Sequence, residues 1–260
     1  MVMTTAVLFD PSATAQVIDT FHHAFTLYKR HLEKLPAESF GQPSNLPEWK
    51  NAHVIAHVDN FSRGVLNQLE AAKLGEFRDF YEGGQDERNR RIELGALMQP
   101  EALRTRALES MTGVFEALST ADDAYLDQPT RFQGSIRRIM LACIREYGIH
   151  SVDLKKGAQP IDWTQEMVRH YIDFGEKRVP DSIKLNLQRL GGQSHVIGHG
   201  DRTIVVQGLD FDIATWLMGR NPSGQIRATA AADGVALPEL LPWPKPHLLT
   251  PDEERTLAPE

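Results

Sequence analysis

The sequence predicts an α+β protein, with a helical N-terminal region followed by a small α/β domain. Three observations predict it. Four long segments within the first 155 residues repeat apolar side chains at helical spacing, the pattern of a four-helix bundle. Residues 155–162, Lys-Lys-Gly-Ala-Gln-Pro-Ile-Asp, place glycine and proline between charges, which is linker chemistry. Beyond them apolar and polar residues begin to alternate, as a half-buried strand requires.

The helical segments come first. Segment 12–34 follows Pro11 and carries Val17, Phe21, Phe25, Leu27 and Leu32. Segment 47–74 opens with Pro47 at a first helical position, continues through Trp49, Val54, Ile55, Val58, Phe61, Val65 and Leu69, and closes at Gly75. A looser stretch with Gly83-Gly84 holds a short helix near 86–94. A third long helix is expected over about 100–127, a turn over 129–134, and a fourth long helix from Ser135 to about Leu154.

The C-terminal domain, placed at 163–245, is expected to contain a helix at 163–177 and another at 181–190. Segments 194–198 and 202–207 alternate around His199-Gly200-Asp201 and predict a hairpin. A helix over 210–220 and a strand over 225–230 follow. The tail, 246–260, together with Pro238, Pro242 and Pro244 before it, is too rich in proline for regular structure.

Composition narrows the function classes. With 260 residues, 41% hydrophobic and 24% charged, the chain can bury a real core in one large domain or two ordinary ones. A net charge of −7 offers no positive field to a nucleic-acid backbone, so that partner is not expected. No run approaches the roughly 18 apolar residues of a membrane span, and Met1–Asp10 lacks the cationic and apolar regions of a secretory signal. The single cysteine, Cys143, excludes an internal disulfide and fits a reducing cytoplasm. It also excludes cysteine-rich zinc sites, leaving histidines and carboxylates to hold any transition metal.

Two stretches supply such ligands. In Arg145-Glu146-Tyr147-Gly148-Ile149-His150, residues four apart lie one turn above each other on a helix, so Glu146 and His150 can converge on one ion. Glu146 follows the apolar run 139–144, where an unneutralised charge is costly. A surface Glu–His pair, or Glu146 bonded to an arginine, fits the same spacing. His53 and His57 repeat the four-residue spacing, with His57 on the inward stripe of Val54, Val58 and Phe61 and His53 toward its edge. Two hydrogen-bonded histidines packed under Trp49 explain that pair equally well. Together, two histidines and one carboxylate from two helices make a facial site with open positions, as catalytic metals need.

Other candidates are weaker. His195 and His199, if on a strand, stand about 13 Å apart at roughly 3.3 Å per residue and cannot chelate one ion. His22, His23, His31, His170 and His247 have no partner spacing and read as surface or packing residues. Cys143 has no adjacent base and reads as a small core residue rather than a nucleophile.

Leu46-Pro47-Glu48-Trp49 before His53 and His57, residues 86–95, and Arg145-Glu146 before His150 and Asp153 together resemble the mycothiol-dependent maleylpyruvate isomerase family, a DinB-like bundle. Val206-Gln207-Gly208, Trp216-Leu217-Met218-Gly219-Arg220 and Leu241-Pro242-Trp243 resemble its second, sterol-carrier-protein-like domain. The resemblance covers about 12 to 245 and implies a DinB-like metal-binding bundle over 1–155. It implies His57, Glu146 and His150 as ligands of one divalent metal, zinc by preference. Arg220 becomes a catalytic residue and an anchor for substrate or cofactor, although a cation at a helix C-terminus is also favoured by the helix dipole alone. Arg88 and Asn60 are further cofactor-binding candidates. One departure stands out: many relatives carry an Arg-Asn pair where this chain has Asp59-Asn60-Phe61-Ser62, residues expected to line the cavity near the metal, which leaves room for a different substrate.

The implied activity is cis-trans isomerisation of maleylpyruvate to fumarylpyruvate, with mycothiol as a cofactor whose sulfur the metal keeps as thiolate. The implied partners are a small-molecule substrate and the low-molecular-weight thiol, and a monomer is expected by analogy. Two other readings stay open: a mycothiol S-transferase of detoxification or natural-product biosynthesis, and a non-catalytic ligand-binding protein.

Overall fold

The computed structural model describes residues 7–190, 192–231 and 233–257. They form two compact units. One comprises Pro11–Gln159 and the segment from Pro246 onward; the other comprises residues 7–10 and Pro160–Lys245. The chain is α+β, helical in the first unit and built on a five-stranded sheet in the second.

The helical unit runs α1 (Thr14–Lys34), α2 (Asn51–Lys73), α3 (Gly84–Ala96), α4 (Pro100–Leu118), the one-turn α5 (Asp123–Leu126) and α6 (Ile136–Asp153). α1 packs on α6 and α2 on α4, while α2–α6 and α1–α4 contacts close a four-helix bundle; α3 lies along α2. The buried stripe of α1, Val17, Phe21, Phe25, Tyr28 and Leu32, repeats at the helical period. Phe21, Phe25, Tyr28 and Phe61 gather around Tyr147 of α6, whose hydroxyl meets Ser62 Oγ at 3.0 Å. Gly64 is required there, because a Cβ would stand 2.6 Å from the Phe80 ring.

Several boundaries differ from expectation. α2 starts at Asn51 rather than at Pro47, because Glu48 takes a positive φ of 64°, outside the helical region. Residues 44–49 close a loop instead, with Ser44 N–H bonded to the Trp49 carbonyl, and His53 Nδ1 accepts from Lys50 N–H to cap the helix. The helix expected over 100–127 stops at Leu118, and Asp122 caps the separate α5 through Tyr125 N–H. Ser135 caps α6 by accepting from Arg138 N–H.

The second unit contains α7 (Gln165–Gly175), β1 (Ile183–Leu190), β2 (His195–Ile197), β3 (Arg202–Leu209), α8 (Asp210–Leu217), β4 (Arg227–Ala230) and β5 (Asp233–Val235). The sheet order is β2-β1-β3-β4-β5. The helix expected over 181–190 is therefore strand β1. Ile183, Leu187 and Leu190 match a helical stripe, but Ile183, Leu185 and Leu187 are the buried alternate positions of a strand, and sheet pairing decides between the two periods. The expected hairpin is also corrected. β2 and β3 do not pair with each other; they flank β1, antiparallel and parallel respectively. α7 and α8 pack together, and α8 lies on β1 and β3. Asp173 of α7 accepts from the backbone N–H groups of Leu8 and Phe9 and so attaches residues 7–10 to this unit.

The proline-rich end carries regular structure after all. Pro251–Leu257 forms α9, with Pro251 in its first turn, where a missing N–H is harmless. Its Glu254 meets Arg131 at 2.6 Å, and Leu248 bridges to Phe132. No helix among the described residues is long and apolar enough to cross a membrane.

Candidate metal centre

His57 lies on the buried face of α2, and Glu146 and His150 lie one turn apart on α6. Bundle packing brings the two stretches together. His57 Nε2 is 3.0 Å and His150 Nε2 is 3.3 Å from the same oxygen, Glu146 Oε2. One donor atom from each of the three residues lies within 4.8 Å of the others, and the two imidazole rings meet edge to face at 4.6 Å. Bonds of about 2.0–2.2 Å to a tetrahedral ion place neighbouring donors roughly 3.3–3.6 Å apart. The Glu146 oxygen stands 3.0 and 3.3 Å from the two imidazole nitrogens, so the three residues could hold a metal ion.

The surrounding groups shape the charge. Asp153 Oδ2, 1% exposed, accepts from His150 Nδ1 at 2.7 Å and fixes that ring with Nε2 toward Glu146. Burial alone would lower the His150 pKa, but the hydrogen bonds to Asp153 and Glu146 outweigh it and raise it to about 9. His57 goes the other way, down to about 4, through burial and the nearby charges of His150 and Arg88, against the pull of Glu146. Burial opposes ionisation of Glu146, yet the hydrogen bonds from His150 and His57 hold it well below the usual carboxylate range.

Arg88 of α3 places Nη2 3.1 Å from His57 Nδ1. A guanidinium only donates, so Nδ1 is the acceptor and Nε2 carries the proton that points at Glu146. Arg88 also bonds the Tyr81 phenol, whose pKa burial pushes up to about 12. Asn60 reaches the Arg88 carbonyl with Nδ2 at 3.5 Å. Trp49 covers His57 from 5.8 Å. His53 stays outside the cluster, with Nε2 3.4 Å from Glu93.

Asp59 does not face this cluster. It turns to α4, where Arg106 Nε at 2.7 Å, Ser110 Oγ at 2.8 Å and Arg63 Nε at 2.9 Å hold its buried carboxylate. The expectation that it lines the cavity is corrected on that geometry. Cys143 is fully buried, and burial raises its thiol pKa, so it is not a nucleophile at neutral pH. Arg220 belongs to the sheet unit, just past the C-terminus of α8, with Nη1 donating to the Met218 carbonyl at 2.9 Å. Two residues of the centre escaped the sequence reading as site residues. Asp153 stands three positions after His150, a spacing that marks a same-face partner, whereas Tyr81 gives no local signal.

The model of the mycothiol maleylpyruvate isomerase N-terminal domain family matches residues 21–155. A crystal structure of the mycothiol-dependent maleylpyruvate isomerase superposes with a TM-score of 0.74 at 24% identity, covering 87% of this chain and 95% of that one. A histidine-to-alanine mutant of that isomerase superposes with a TM-score of 0.73 at 23% identity over the same shares of the two chains. These two likenesses show a common fold. No curated protein sequence matches the chain.

Proposed function

The chain belongs to the mycothiol maleylpyruvate isomerase family, and from that premise we propose that it is a mycothiol-dependent cis-trans isomerase in which His57, Glu146 and His150 hold one divalent metal, zinc by preference. The convergence of those three donors within 4.8 Å carries the reading. When bound, the metal would supply Lewis acidity and mycothiol a sulfur nucleophile that adds reversibly across the cis double bond of maleylpyruvate, so that rotation and loss of the same thiol give fumarylpyruvate.

The residues divide the work. His57 and His150 offer neutral nitrogens and Glu146 an anionic oxygen, which leaves one net positive charge on a bound dication and an open position. Asp153 keeps His150 in the ligating orientation, as an outer carboxylate does for a metal-bound imidazole. Burial excludes water from His57 and strengthens every charge interaction around it. Arg220 is assigned to the carboxylate or developing enolate oxygen, since a guanidinium matches such an anion with two parallel donors. Arg88 and Asn60 are assigned to the cofactor. An enzyme whose thiol arrives as a cofactor needs no nucleophilic cysteine of its own, and the buried state of Cys143 is compatible with that.

The test is turnover of maleylpyruvate with a catalytic amount of mycothiol. Conversion to fumarylpyruvate without thiol consumption, stoichiometric zinc in the purified protein, and loss of both in Glu146→Gln are expected. A stable thiol adduct would instead make it a transferase. Absence of zinc together with an unaffected Glu146→Gln would remove the enzymatic reading.

A further inference from the structure

The buried guanidinium of Arg178 is unusual in its partners. Among the described residues its hydrogen-bond acceptors are backbone carbonyls rather than carboxylates: Nη1 donates to Leu217 O at 2.7 Å and Nε to Leu241 O at 2.9 Å. The segment around Leu241 is tied back in turn, with Leu241 N–H bonded to the Arg178 carbonyl. The Trp243 ring covers the guanidinium at 5.4 Å.

Leu217 is the last residue of α8, and its carbonyl is one of those that the helix leaves without an internal acceptor role. Arg178 therefore caps the very turn that delivers Arg220. Gly219, between them, has a φ of 73°, and a Cβ there would stand 2.9 Å from Arg178 Nη1. The chain can approach this closely only because the residue is glycine. Arg220 completes the turn through its own N–H to Thr215 O and its Nη1 to Met218 O.

This arrangement is costly for stability alone. A buried charge whose hydrogen-bond acceptors, among the described residues, include no carboxylate is worse placed than a paired one. Burial and the neighbouring Arg220 charge both lower the Arg178 pKa, so the two cations disfavour each other. A neutral donor would hold the turn without that repulsion. The cost is understandable if the C-terminal turn of α8 has to be rigid and cationic for an anionic ligand.

We propose that Arg178 is the positioning residue for Arg220: through Leu217 O, Leu241 O and the close approach of Gly219, it fixes the turn that presents the Arg220 guanidinium to a carboxylate-bearing substrate. The inference rests on the reading of Arg220 as a substrate anchor.

The test is a double-mutant cycle on full-length enzyme, with maleylpyruvate and mycothiol, and with zinc content and thermal unfolding recorded for each variant. Arg220→Ala is expected to lower kcat/KM by about tenfold or more, and Arg178→Met to lose most of that factor through KM, at the scale of a misplaced binding group. Arg178→Met added to Arg220→Ala should produce no further loss, whereas a merely structural residue would multiply it. Arg178→Lys keeps the charge but cannot serve both carbonyls with a planar fork, so it should resemble Arg178→Met. Gly219→Ala leaves both arginines in place and should give the same KM effect if Arg178→Met fails to fold. Multiplying losses, or an intact Arg178 series beside a crippled Arg220→Ala, overturn the positioning role alone. If Arg220→Ala keeps full activity, the assignment of Arg220 falls, and the proposal with it.

Discussion

Asp153 Oδ2 sits 2.7 Å from His150 Nδ1 and is almost wholly buried beneath it. The pair defines which nitrogen of His150 faces Glu146, because the proton on Nδ1 is committed to the carboxylate. Replacing Asp153 by asparagine keeps the shape and removes the charge that supports the ring. Zinc affinity of Asp153→Asn, measured by competition with a chelator, is expected to fall by about 10–100-fold. An affinity equal to that of the parent protein would mean that Asp153 is a buried structural acid and nothing more.

The same pair gives the metal-free protein a pH signature. His150 is raised from its ordinary 6.5 to about 9 in the fold. Between those values the folded state holds a proton that the unfolded chain releases, so its stabilising contribution is complete below about 6.5 and is lost as pH rises through 9. His57, lowered to about 4, and Glu146, lowered as well, titrate below that window and leave it clean. Chelator-treated protein should show a urea midpoint that declines from pH 6.5 to 9. Zinc-loaded protein should not show that decline, because the metal has replaced the proton. A flat midpoint in chelated protein would contradict the His150 assignment.

Arg88 opposes the ligating form of His57. Its Nη2 donates to Nδ1, which keeps the proton on Nε2, the atom that faces Glu146 and His150. An ion at Nε2 requires the proton on Nδ1, where it would confront a second donor, and the guanidinium adds repulsion toward a dication. Arg88→Met is therefore expected to bind zinc more tightly, by about tenfold for every 1.4 kcal/mol of opposition removed. Isothermal titration with zinc reads this directly. Equal or weaker binding in the variant would show that the guanidinium turns aside at no cost.

The parts of this centre that lie on one helix were legible in the sequence. Glu146 and His150 share a face because four residues make about one turn, and His57 falls on the apolar stripe of its own helix. What brings α2 against α6 is core packing around Tyr147, which no local pattern encodes. The same limit governs the sheet unit. Ile183, Leu187 and Leu190 satisfy a helical stripe while Ile183, Leu185 and Leu187 satisfy a strand, and only pairing with Val206 and Ile197 resolves it. The direction of Asp59 was equally hidden. It is two positions from His57, which on a helix turns it about 200° away, toward partners on α4 that lie far along the chain.

That orientation makes Asp59 a means of separating stability from the site. Its carboxylate, 3% exposed, gathers Arg106, Arg63 and Ser110, and its loss leaves the two arginines with access to water, since their side chains are 41% and 46% exposed. The penalty is therefore smaller than for a fully buried pair, and Asp59→Asn is expected to lose about 1–3 kcal/mol in a urea titration. Zinc stoichiometry and maleylpyruvate turnover should stay at the parent level, because none of the three partners belongs to the His57, Glu146 and His150 cluster. A variant of unchanged stability but altered metal content would return Asp59 to the cavity wall and reopen the question of a different substrate.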